Sequence, residues 1–124
     1  MDPKTLARKK PVWVAISKFY LDTELGDDEI TDISKTFHQS GYSIEELREI
    51  NYEEVGPIVS PNLFSIAGVW TEFDEEWLTE KIIERISKGK SNAIFRKLYR
   101  RQLDRMTDRY WRKIIESNIA SPSP

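Results

Sequence analysis

SNAIFRKLYRRQLDRMTDRYWRKIIESN, residues 91–118, runs without a glycine or proline. Within it Phe95, Tyr99, Leu103, Met106, Tyr110 and Ile114 recur at 4-4-3-4-4 spacing, the apolar stripe of one long amphipathic helix. Turned by 100° per residue, Lys97, Arg101, Arg105, Arg109 and Arg112 spread over the opposite side. A stripe of this length needs other elements to cover it, and upstream the chain offers only helices.

Moving back from Ser91, Gly89 ends a helix that Asp74 caps. Its first turn carries Glu75 and Glu76, which suit a positive N-terminus, and Trp77, Leu78, Ile82 and Ile86 lie on or near its buried face. Ser60-Pro61 reads as the opening of a short helix through Leu63, Phe64, Ile66, Ala67 and Trp70. Ser43-Ile44-Glu45-Glu46 is a capping box, starting a helix that Gly56-Pro57 is expected to stop. Gly41 is placed as the left-handed end of the preceding helix, in which Ile30, Ile33 and Phe37 share a face and Asp27 or Asp28 is the expected cap. Pro11 reads as the first residue of a helix over about 11–21, with Val12, Trp13, Ile16, Phe19 and Tyr20 at helical spacing. The expected fold is all-α: a single compact bundle of five or six helices with a long C-terminal helix. Residues 1–10 are expected to be a flexible basic arm, 11–119 the helical domain, and 120–124 a disordered tail.

Charge is divided unevenly. Residues 88–116 hold ten Lys or Arg against Asp104, Asp108 and Glu116, a net +7; the remaining nine basic and eighteen acidic residues make −9, which gives the overall −2. One half can neutralise the other inside the fold, or either can face a charged partner. With no cysteine, disulfides, thiolate metal sites and cysteine nucleophiles are excluded. No stretch approaches the roughly 20 apolar residues of a membrane span, and the polar N-terminus lacks a signal-like apolar run, so the expected location is the cytoplasm.

Candidate chemistry is sparse. His38 is the single histidine, placed near a helix end where an imidazolium suits the dipole. The acidic run from Asp22 to Glu29 does not scan as a calcium loop: Gly26 and Asp27 stand where a ligand and a glycine are needed, and Ile33 replaces the terminal glutamate. Glu45, Glu46, Glu49, Glu53 and Glu54 make a second acidic surface. The aromatic run Trp70, Phe73, Trp77 reads as core. No metal or cofactor is expected.

Lys10-Pro11-Val12-Trp13, Leu21-Asp22-Thr23-Glu24-Leu25, Ser40-Gly41-Tyr42-Ser43, Val55-Gly56-Pro57, Asn62-Leu63, Ala67-Gly68 with Trp70, and Phe73-Asp74 with Trp77 follow one another in the chain. Over roughly residues 10–86 this series resembles a family of small bacterial proteins known only as a domain of unknown function. Val69 stands where that pattern has an acidic residue, and the basic helix after Gly89 is not part of the resemblance. The resemblance implies a helical bacterial protein and brings no activity, cofactor or catalytic residue.

The expected function is therefore a small non-catalytic protein-binding module. Its concrete form is an immunity protein that neutralises a bacterial toxin by covering a basic site with Asp22, Glu24, Asp27, Asp28, Glu45, Glu49 and Glu53. The alternative is a nucleic-acid-associated regulator using Lys97, Arg101, Arg105 and Arg112; the pI of 5.5 and the wide arc of charge weigh against it. The long apolar stripe also suits a homodimer.

Overall fold

Asp2 starts the first helix. Its carboxylate accepts from the Thr5 backbone N–H at 2.8 Å and from the Thr5 hydroxyl at 3.0 Å, and Pro3 takes the first helical position. This computed structural model describes residues 2–20, 24–65, 74–89 and 93–120, with side chains described outside 61–65, 93–96 and 117–120. Helix α1 spans Pro3–Ser17 and closes with a short 3₁₀ turn, Lys18–Tyr20. The N-terminal residues expected as a flexible arm are thus helical, and Pro11 lies inside α1 rather than at its start. Pro11 forfeits one backbone bond to Ala7, a residue exposed to water. Tertiary contacts hold this stretch: Arg8 Nε donates to the Ser40 carbonyl at 2.7 Å, with its guanidinium 3.7 Å above the Tyr42 ring, and Lys9 meets Glu54 at 2.8 Å.

Helix α2 is Asp27–Ser40. Its cap is Gly26, one residue before the acids expected there, and Glu29 reaches back to the Gly26 N–H at 3.4 Å. Gly41 ends it at φ +76°, the left-handed geometry foreseen for it. The capping box then forms as expected: Ser43 Oγ accepts from the Glu46 N–H at 3.1 Å and Glu46 accepts from the Ser43 N–H at 2.9 Å.

Helix α3, Ile44–Ile50, does not stop at Gly56-Pro57. It widens into a π turn over Asn51–Val55 and runs on as α4, Gly56–Ser65. The Gly56 N–H bonds back five residues, to the Asn51 carbonyl. Pro57 has no N–H for the Glu53 carbonyl, and its ring would crowd that oxygen in a regular α-turn; the widened turn absorbs the proline. The freed Glu53 carbonyl accepts from Arg85 Nε at 2.9 Å. Pro61 accordingly sits within α4 and opens no helix of its own.

Asp74 caps α5, Glu75–Ser87, by accepting from the Trp77 N–H at 2.8 Å, and α6 spans Ala93–Ala120. All described elements are helical. The expected Ile66–Trp70 segment, Phe73, the side chain of Phe95 and the Ser121–Pro124 tail lie outside what is described.

The core is aromatic at its centre. Phe19 stacks on Tyr110 (5.3 Å between centroids) and meets Trp111 edge-on (5.1 Å), while Phe37 stacks on the other side of Trp111 (5.7 Å). Leu103, Tyr110 and Ile114 of the α6 stripe are fully buried, with Trp111 and Thr107 beside them. Tyr99 and Met106 are partly covered, so the buried face of α6 drifts from the stripe toward Thr107 and Trp111. Trp77 is half-buried against the core.

Candidate partner-binding surfaces

The acids expected to form one contact surface divide into three places. Glu49 and Glu53 stand one turn apart on the helix that α6 crosses, and Arg100 of α6 reaches both, at 2.5 and 3.0 Å. The Arg100 guanidinium also lies 4.9 Å from the centre of the Tyr52 ring. With Glu53 mostly covered at 14% exposure, this pair is an internal tie and not a rim for a partner. Glu45 is exposed in the first turn of α3. Glu24, Asp27 and Asp28 are exposed together where the chain enters α2. Asp22 lies outside the described residues.

A second tie joins the same helices. Arg48 Nη2 meets Asp104 at 3.2 Å and Asp108 at 3.9 Å, and the Tyr52 hydroxyl donates to Asp104. Burial, together with that donated bond, raises the Tyr52 hydroxyl above its ordinary pKa. Deeper in, the Tyr20 hydroxyl donates to Asn51 Oδ1 at 2.6 Å, and desolvation holds Tyr20 protonated far above the usual phenol range. Trp13, fully buried, donates its indole N–H to Glu54 at 2.8 Å, and Lys9 closes on the other oxygen of that carboxylate. None of these partners was visible in sequence. Arg48 and Tyr52 are four apart and could have been paired, but Asp104 joins them only through the crossing of α6.

The basic residues of α6 sort by face. Arg100 points at Glu49 and Glu53, as above. Lys97, Arg101, Arg105, Arg109 and Arg112 are exposed and occupy roughly 120° of the helix circumference, a narrower arc than the spacing had suggested. Arg112 pairs with Asp108 one turn back at 2.9 Å, and Arg109 stands 3.9 Å from Glu24 and over the ring of Tyr110. Both pairs are open to water and weak. Lys97, Arg101 and Arg105 have no ion pair among the described residues.

His38 is exposed in the last turn of α2, where its carbonyl accepts from the Gly41 N–H. Among the described residues no three His, Asp or Glu side chains are grouped to hold a metal ion. An open groove of about 560 Å³ runs along the start of α5, lined by Lys10, Asp74, Glu75, Glu76, Thr79 and Glu80. Its carboxylates serve a helix N-terminus, with Asp74 committed to the cap. No helix among the described residues is long and apolar enough to cross a membrane.

The chain belongs to the family described as Domain of unknown function (DUF7079), whose model matches residues 7–117. The match extends past Gly89 and takes in most of α6, so the basic helix is part of the family's domain, contrary to the extent of the resemblance. No curated protein and no solved structure matches the chain.

Proposed function

We propose that the chain is a non-catalytic protein-binding module that meets a basic partner surface through Glu24, Asp27 and Asp28 at the entry to α2. An immunity protein that covers a bacterial toxin is the concrete form of this reading. The observation that supports it is how the acids are spent. Glu49, Glu53, Glu54 and Asp104 are tied to cations of the same chain, whereas Asp27 and Asp28 are exposed and without an ion pair among the described residues. Exposed acids of this kind raise the rate of encounter with a basic surface. Glu45 is exposed as well and is an outlying contact. Glu49 and Glu53 leave the proposed contact set because Arg100 occupies them.

The test is an affinity capture from lysate of the chain's own source, after nuclease treatment, comparing the wild type with E24Q/D27N/D28N. A stoichiometric basic protein held by the wild type and released by the triple variant, with an on-rate that falls as salt rises, is the expected result. A partner retained equally by both would overturn the reading.

A further inference from the structure

We propose that the exposed face of α6 is a docking surface for the phosphodiester backbone of a nucleic acid, separate from the acidic entry to α2. Lys97, Arg101, Arg105, Arg109 and Arg112 follow each other at intervals of four, four, four and three residues, all exposed. At 1.5 Å per residue they form a line about 22 Å long, with a cation for each turn of helix. Lys97, Arg101 and Arg105 are uncommitted, and the acids that touch the line, Asp108 and Glu24, engage only its far end.

An acidic protein is the other class of partner that five cations could attract, and the composition of the face argues against it. Stable protein interfaces centre on buried aromatic or aliphatic anchors. Here the face offers one exposed large apolar side chain, Leu98 at 63%, at its N-terminal end, with Gln102 beside it. Contacts to a phosphate backbone need no apolar centre, and four of the five cations are arginines, whose planar forks fit phosphate oxygens in pairs. The overall charge of −2 does not cancel this surface. At about 0.1 M salt the screening length is about 10 Å, so acids on the far side of the molecule act weakly on a ligand lying along α6.

The experiment is fluorescence anisotropy of the full chain with labelled duplexes of about 20 base pairs, one of DNA and one of RNA, from roughly 25 to 200 mM NaCl. Five engaged phosphates predict a log–log salt slope of about −4 on duplex DNA, a loss of 10²- to 10³-fold in affinity between 50 and 200 mM. K97Q/R101Q/R105Q changes only exposed side chains and should reduce the slope by about 2 to 3. E24Q/D27N/D28N should bind at least as tightly as the wild type, and far-ultraviolet circular dichroism checks that every variant keeps its helices. Binding to either duplex supports the proposal, and the ratio of the two names the polymer. The proposal is overturned by absent binding at the lowest salt, by a slope that K97Q/R101Q/R105Q leaves unchanged, or by polyglutamate of matched charge binding as tightly as either duplex. Because the acidic triple variant is assayed in parallel, failure here leaves the protein-binding reading to its own test.

Discussion

Gly56 is where α6 comes closest to the helix it crosses. A Cβ there would stand 2.5 Å from Leu103 Cδ1 and 2.7 Å from the Asn51 carbonyl oxygen. Its backbone is ordinary helix, φ −54°, so space and not conformation demands glycine. Gly56→Ala should therefore destabilise by about 1–3 kcal/mol through overpacking, against the helix propensity that alone favours alanine, as read from the urea midpoint. Glu54 offers a complementary case. Glu54→Ala strands the buried Trp13 N–H and should cost about 1–3 kcal/mol, whereas Glu54→Gln keeps an acceptor and should cost less, the difference being visible in thermal melts. Neither role was legible beforehand. Gly56 beside Pro57 looks like a stop, and the reason for glycine lies 47 residues downstream at Leu103.

At the level of the elements, legibility followed locality. Gly41, Ser43 with Glu46, and Asp74 act through residues two to four positions away, and all three ends sit where the sequence placed them. Two boundaries were misplaced for the opposite reason. Pro11 and Pro57 lie inside helices because distant groups hold the chain: Glu54 and Ser40 hold α1, and Arg85 takes the carbonyl that Pro57 cannot use. The capping box carries a measurable prediction. Ser43→Ala should cost about 1 kcal/mol by leaving the Glu46 N–H without its acceptor, measured by denaturant titration. Hydrogen bonds from the Ser43 backbone and side chain lower the Glu46 pKa below 4.5. A carboxylate lowered in this way stabilises the fold above its unfolded pKa, and that contribution disappears as pH falls through the lower folded value. Stability measured from pH 6 downward should accordingly fall less steeply in Glu46→Gln; an unchanged acid limb would show that the bond adds nothing.

Over the whole molecule, the charge division visible in composition resolves into two uses. Part of the basic helix neutralises acids across the crossing with α3, through Arg100 and through Asp104 and Asp108 facing Arg48; the rest is left outward. Net charge by segment could reveal the division but not which arginine turned which way, because neighbours such as Arg100 and Arg101 lie 100° apart and only tertiary packing selects the face. The two classes should respond differently. Arg100→Gln should lose about 1 kcal/mol, with less loss at high salt, while E24Q/D27N/D28N should alter stability by no more than about 0.5 kcal/mol, both measured by urea denaturation. A large stability loss in the acidic triple variant would mean those residues serve the fold and not a partner.

The π turn at Asn51–Val55 makes this part of the chain tolerant in kind but not in number. Removing one residue from it would close a regular α-turn, yet it would also rotate everything after it by about 100° and draw it back by about 1.5 Å. Gly56 would then swing away from Leu103, and a residue with a side chain would arrive in the space that only a bare backbone fits. Homologous chains that conserve the crossing can therefore exchange residues between Leu47 and Gly56 but must keep their count, so a one-residue insertion or deletion there marks a domain whose last helix docks differently.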